Sequence, residues 1–286
     1  MKRHLIKQAI PLLLAGISAA CLSCDFFSSA GALFISEDDE VQVGTEFDAQ
    51  LRSSDSAKAE YPIFVAKNHA DTVFESYVKG LAQEILDAIP AGDKPSYPFK
   101  FTIIDADVVN AFAVPGGYVY IYTGIIKQMQ DESELAGVLG HELTHVTKHH
   151  YRDAMAKEAG LQLLVQALVG NDAGQLTQLV AGSLFQLASL KVTRDNETEA
   201  DHYGTINIGR VNRNPLGIAK FFSRLPSSAL EDWISTHPAP ATRVEAVNTE
   251  VQNSTSLSAV AADSAVTNYR QRFLDNTAAM RATAIP

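Results

Sequence analysis

Asp131-Glu132-Ser133-Glu134-Leu135-Ala136-Gly137-Val138-Leu139-Gly140-His141-Glu142-Leu143-Thr144-His145 is the stretch on which the reading of this chain turns. Asp131 with Glu134 three residues on is a capping-box pattern that uses Asp, so a helix is expected to open there. Leu135, Val138 and Leu139 begin its apolar face, and the helix is expected to run to about His149. His141 and His145 stand at i and i+4, on one helix face, so both imidazoles can point at one ion. Glu142 is offset from His141 by about 100° around the helix. It can therefore stand beside an ion as a general base without binding it. Neutral imidazole plus carboxylate, with one position left open for water, is the chemistry of zinc. The bland alternative is two surface histidines on an amphipathic helix. The mid-helix position, the apolar residues before it and Gly140 beside it argue against that.

A catalytic zinc site takes a third protein ligand. A histidine six residues after His145 would serve, but that position is Tyr151. His149 lies at i+4 from His145, yet three histidines stacked along one straight helix wrap a tetrahedral ion poorly. Downstream, the only acid from Gly160 to Thr193 is Asp172. Then comes Arg194-Asp195-Asn196-Glu197-Thr198-Glu199-Ala200-Asp201-His202. Glu197 and Asp201 are four apart and share a helix face, whereas Glu199 lies off it. Glu197 as ligand, with Asp201 receiving the second N–H of a metal-bound imidazole, makes chemical sense. A solvated acidic face fits the same spacing, and spacing alone does not choose.

The rest of the chain sets bounds. At 286 residues and 46% apolar content it can bury a sizeable core. A net charge of -10 and the lack of a basic patch argue against nucleic acid as a partner. Lys2, Arg3 and Lys7 precede an apolar run, Ile10 to Ala20, too short to span a bilayer comfortably, which reads as an export signal. Ile17-Ser18-Ala19-Ala20-Cys21 resembles a lipobox, with Ser18 where a larger aliphatic residue is usual. Ordinary cleavage after Ala20 is the alternative, and Cys24 is a poorer lipidation site than Cys21. No cysteine follows Cys24, so the domain has neither a disulfide nor a thiolate ligand.

Six further elements are expected. Ser36-Glu37-Asp38-Asp39-Glu40 opens a helix, since acids favour its N-terminal end. Val73, Tyr77, Leu81 and Ile85 mark a second helix, broken at Ala91-Gly92-Asp93-Lys94-Pro95. Phe99 to Ile104 alternates like a strand, and Tyr118 to Thr123 is a second strand after the tight turn Pro115-Gly116-Gly117. Leu161 to Leu190 reads as two buried or partner-facing helices joined near Gly170-Asn171-Asp172-Ala173-Gly174. The domain layout is then a lipoprotein-type signal over 1–20, a linker over 21–34, a metal-binding domain over 35–251 and a C-terminal extension over 252–286.

Five blocks carry a resemblance: ISEDDEVQVG, NAFAVPGGYVYIYTGII, ELAGVLGHELTHVTKHH, TRDNETEADHYG and the shorter STHPAPATRVEAV. Together the chain resembles the HtpX and CAAX-prenyl-protease type zinc metallopeptidases, a gluzincin family, and most closely its soluble periplasmic, BepA/LoiP-like branch. The resemblance implies an α+β, mostly helical zincin-like metalloprotease domain with a small mixed sheet beside the HExxH helix. It makes Glu197 the third zinc ligand, one Zn2+ per chain, and Asp201 the carboxylate behind a histidine; Thr193 replaces the family's Ser in S-R-x-x-E-x-x-A-D. It places Asn110, Ala111 and Phe112 near an edge strand that pairs with an extended substrate. His237 has three open roles: capping the zinc in a resting state, donating a proton, or a structural histidine before Pro238. Arg243 would hold either that loop or a developing oxyanion.

The expected function is a cell-envelope endopeptidase acting on misfolded or unassembled polypeptides, outer-membrane proteins among them. The rival is a periplasmic chaperone or assembly factor that uses the edge strand without chemistry. A lipidated Cys21 followed by Leu22 would place the chain at the outer membrane, facing the periplasm; a lipidated Cys24 followed by Asp25 would retain it at the inner membrane.

Overall fold

The computed structural model describes residues 35–155, 192–237, 241–263 and 269–282. The expected signal and linker, the helix pair expected within 161–190, and Pro238 lie outside the described residues.

The chain enters through α1 (Glu37–Ser53), where Ser36 and Asp39 cap each other's backbone in a capping box. The short α2 (Asp55–Glu60) follows, then α3 (His69–Ala88). The buried stripe of α3 is Phe74, Val78, Leu81, Ala82, Ile85 and Leu86. It is rotated by one residue from the Val73–Tyr77 line, because Tyr77 sits at the margin and donates its hydroxyl to Glu132.

Strands β1 (Lys100–Ile104), β2 (Ala111–Val114) and β3 (Tyr118–Tyr122) form a mixed sheet in the order β1-β3-β2. β1 runs parallel to β3, and β2 and β3 make an antiparallel hairpin. Gly116 and Gly117 turn that hairpin at φ 79° and 90°, backbone that glycine adopts without strain. Alternation divides the sheet into two faces. Phe112, Val114, Tyr118, Tyr120 and Tyr122 pack with Phe47 and Leu51 of α1. Ala111, Ala113, Val119 and Ile121 join the main core.

After α4 (Thr123–Gln128) comes the motif helix α5 (Glu132–Thr147), buried along its whole length. Asp131 caps it by accepting the N–H groups of Ser133 and Glu134, while Glu134 accepts from Gln130 N–H rather than closing back on Asp131. The helix ends two residues short of His149. His149 adopts φ 56°, its ring nitrogen 2.7 Å from Glu40 of α1, and a helical run resumes over 150–155.

The second half supplies α6 (Arg194–Arg210), α7 (Gly217–Arg224), α8 (Glu231–Thr236), α9 (Ala241–Asn253), α10 (Thr255–Ala262) and α11 (Tyr269–Ala282). α6 and α7 both pack on α5. α11 packs on α3 and α5 with Phe273 fully buried, and its Arg272 meets Glu132 at the start of α5 alongside Arg213. The fold is thus mostly helical with a small mixed sheet, the expected α+β arrangement. Among the described residues no helix is long and apolar enough to cross a membrane.

Candidate metal centre

The crossing of α5 and α6 builds the site. A Cβ on Gly140 would stand 2.9 Å from Ile208 and 3.1 Å from the Gly204 carbonyl oxygen, so the two helices touch backbone to backbone. That approach brings Glu197, one turn into α6, up to His141 and His145. His237, directly after α8, reaches the same point. One donor atom from each of His141, His145, Glu197 and His237 lies within 4.8 Å of every other, and all four residues are buried.

The protons of the two α5 histidines can be placed by following their partners. His141 Nδ1 lies 3.0 Å from Asp201 Oδ1, so Nδ1 carries the hydrogen and Nε2 keeps a lone pair. His145 Nδ1 lies 2.9 Å from His150 Nδ1, and His150 Nε2 lies 3.2 Å from Glu199 Oε2. His150 donates to Glu199 and accepts from His145, which leaves a lone pair on His145 Nε2 as well. The two Nε2 atoms are 3.0 Å apart. Neither bears a hydrogen, so this contact is no hydrogen bond. Glu197 adds carboxylate oxygens 3.6 Å from His141 Nε2 and 3.4 Å from His145 Nε2. Lone pairs and anionic oxygens converging in a buried space repel unless a cation lies among them. The donor set fits one divalent ion, and two imidazoles with a carboxylate suit zinc.

The electrostatics agree. Burial lowers the His141 and His145 pKa values, keeping both rings neutral. Burial works against a charged Glu197, yet His237, 2.9 Å away, leads the causes that hold its carboxyl well below the usual range. Burial likewise opposes a charged Asp201, but the Arg243 guanidinium brings it to about 2. Arg243 grips Asp201 through Nε at 2.6 Å and Nη2 at 2.7 Å, and reaches Glu197 through Nη1. It therefore ties the third-ligand carboxylate to the one that orients His141.

Glu142 is fully buried, and neither of its carboxylate oxygens has a hydrogen-bond partner. Burial raises its pKa. An unpartnered buried carboxylate beside the donor cluster is costly as structure and suited to proton transfer. His237 Nδ1 is 2.9 Å from Glu197 Oε1, and its Nε2 lies 3.6 Å from Glu142 Oε1. The chain's one tryptophan, Trp233, stacks on the His237 ring at 4.2 Å.

Ala111 opens β2, an outer strand of the sheet that packs on α5, and Asn110 immediately precedes it. Phe112 does not face the cluster: strand alternation turns its ring to the α1 side, stacked 4.8 Å from Tyr120. Sequence reasoning had no hold on His150 or Glu199. His150 is at i+5 from His145, which a continuous helix would point elsewhere; the left-handed residue at 149 swings it back. The doubled histidine after the helix was the available signal.

The match to the family model described as Peptidase family M48 covers residues 75–251. The chain is 30% identical over 190 residues to a putative beta-barrel assembly-enhancing protease of Vibrio cholerae serotype O1, covering 61% of this chain and 38% of that protein. It is 27% identical over 269 residues to the beta-barrel assembly-enhancing protease of Escherichia coli strain K12, covering 85% of this chain and 52% of the other. It is 29% identical over 154 residues to the metalloprotease LoiP of Escherichia coli strain K12, covering 52% of this chain and 61% of that one. The chain thus spans only about half, or less, of the length of the first two relatives. His141, Glu142 and His145, with Glu197 brought to them across the α5–α6 crossing, match the active site of a zinc metalloprotease, and with a model match over more than half its length the chain belongs to peptidase family M48.

Proposed function

We propose that this chain is a zinc-dependent endopeptidase of the bacterial cell envelope that cleaves misfolded or unassembled polypeptides. The observation that carries the reading is the pair of Nε2 lone pairs of His141 and His145, 3.0 Å apart, with Glu197 beside them and an unpartnered Glu142 carboxylate alongside. His141, His145 and Glu197 hold the metal, and Asp201 fixes the tautomer of His141. Bound there, zinc supplies Lewis acidity, making water nucleophilic near neutral pH and polarising a peptide carbonyl. Glu142 takes the proton the attacking water sheds, on Oε1 or Oε2, and passes it to the leaving amine nitrogen. Its burial-raised pKa lets it hold that proton between the two steps. No covalent acyl intermediate is needed.

His237 completes a set of four donors, and a catalytic site keeps one position open. His237 therefore caps the site in this conformation and withdraws for turnover. Arg243 keeps Glu197 and Asp201 in place rather than meeting an oxyanion, because both carboxylates already occupy it. Asn110, Ala111 and Phe112 form the edge where an extended substrate pairs, Phe112 only by packing behind it.

Location and substrate class rest on the signal-like residues 1–20, the lipobox ending at Cys21, and relatives named as beta-barrel assembly-enhancing proteases. These support a periplasmic lipoprotein, anchored at the outer membrane, that meets unfolded outer-membrane proteins. Zinc analysis and casein cleavage test the reading. The wild type should hold one zinc and cleave, Glu142→Gln should keep zinc and lose cleavage, and Glu197→Gln should lose zinc. Casein binding without cleavage by the zinc-loaded wild type would instead make the chain an assembly factor.

A further inference from the structure

The hairpin register fixes which backbone groups of β2 are free. Tyr122 N–H bonds to Asn110 C=O, so 110 and 122 are a hydrogen-bonded pair. Hydrogen-bonded pairs alternate in an antiparallel ladder, so Phe112 with Tyr120 and Val114 with Tyr118 are the next two. Ala111 and Ala113 therefore turn their N–H and C=O groups away from β3. Among the described residues no strand pairs with that edge. An added strand would bond to Ala111 and Ala113, not to Phe112.

One of the two outward amides is already engaged. The Ala111 N–H donates to the side-chain oxygen of Asn110 at 2.9 Å. The Thr236 hydroxyl, which donates to the Trp233 carbonyl at 3.2 Å, lies 3.5 Å from the same Asn110 oxygen. Thr236 adjoins His237, so one carboxamide touches both the substrate edge and the segment that carries His237.

We propose that Asn110 is the gate residue of the substrate edge: an entering polypeptide strand that pairs at Ala111 and Ala113 must displace the Asn110 side chain to reach the amide of Ala111. This rests on the peptidase reading and adds the pairing register and the competitor. Sequence-tolerant capture follows, since the groups competed for are backbone amides alone.

The test uses the full chain, zinc-loaded and carrying Glu142→Gln so that nothing is cleaved, with a fluorescent unfolded casein peptide as probe. Adding Asn110→Ala leaves the Ala111 amide without its partner until the peptide supplies one. The dissociation constant should fall about tenfold, the worth of one buried donor left unsatisfied. Asn110→Leu, which keeps the side-chain volume and removes the acceptor, should act in the same direction, and it carries the test if Asn110→Ala fails to fold or to hold zinc. Ala113→Pro, which removes an outward amide and no ladder bond, should weaken binding at least tenfold with zinc retained. Unchanged or weaker binding in Asn110→Ala and Asn110→Leu overturns the proposal. A zinc-loaded protein that binds no peptide, beside a wild type that cleaves none, overturns the peptidase reading instead.

Discussion

Gly204 of α6 lies against Gly140 and His141 of α5 with no room for a side chain: a Cβ there would meet the His141 amide nitrogen at 3.0 Å and the Gly140 carbonyl carbon at 3.1 Å. The close approach is what lets Glu197 and Asp201, on the same helix as Gly204, reach the α5 histidines. Alanine in a helix is ordinarily favoured over glycine by about 1 kcal/mol. Here the contact is with backbone, which cannot step aside, so overpacking wins. Gly204→Ala should destabilise the metal-free protein by about 1–3 kcal/mol in chemical unfolding. It should also weaken zinc binding in competition dialysis, because the helix carrying Glu197 moves outward. A stabilised Gly204→Ala protein would show that the crossing is looser than described.

His150 gives a second prediction. Its Nδ1 receives the proton of His145 Nδ1, and so directs the His145 lone pair at the cluster. Partners of this kind are worth about 10–100-fold in metal affinity. His150→Ala should lose affinity in that range without touching a ligand. Glu199→Gln should lose less, because the Glu199 side chain is 43% exposed and water can replace it. Equal affinities for wild type and His150→Ala would remove His150 from the site.

The start of α5 is held by two arginines of unequal worth. Arg213 is 3% exposed and Arg272 is 44% exposed, and both meet the fully buried Glu132. Removing Arg213 leaves a buried carboxylate poorly compensated, so Arg213→Ala should cost about 3–5 kcal/mol. Arg272→Ala should cost no more than about 1 kcal/mol, since solvent screens that pair. Thermal unfolding of the two variants should order them so, and the reverse order would mean that α11 bears more of the load than burial indicates.

Alkaline stability follows from the tyrosines. Burial is the leading cause that raises Tyr61 to about 12, and it raises Tyr77, Tyr97, Tyr120 and Tyr122 as well. The folded state therefore favours the protonated phenol. The stability this lends is complete below the ordinary tyrosine value of 10.0 and drains away as pH climbs towards the folded value. Tyrosinate absorbance should appear together with loss of circular dichroism in one cooperative step above that pH. Tyrosinate forming well before the dichroism changes would show these hydroxyls to be accessible in the folded protein.

Sequence alone determined what helical periodicity can carry. The i, i+4 spacing of His141 and His145 puts two imidazoles on one face whatever surrounds them. The same spacing ties Glu197 to Asp201, and the capping residues at 36 and 131 set where α1 and α5 begin. These are rules of one or two turns, enforced by local sterics and hydrogen bonding. Tertiary structure decided the rest. Glu197 becomes a neighbour of His145 only because two glycines let the helices cross in contact. His150 turns back only because the backbone breaks at His149, and Phe112 leaves the site only because the hairpin register sends it to the α1 face. Convergence from distant segments depends on crossing geometry and on single backbone angles, and no periodic pattern in a sequence encodes either.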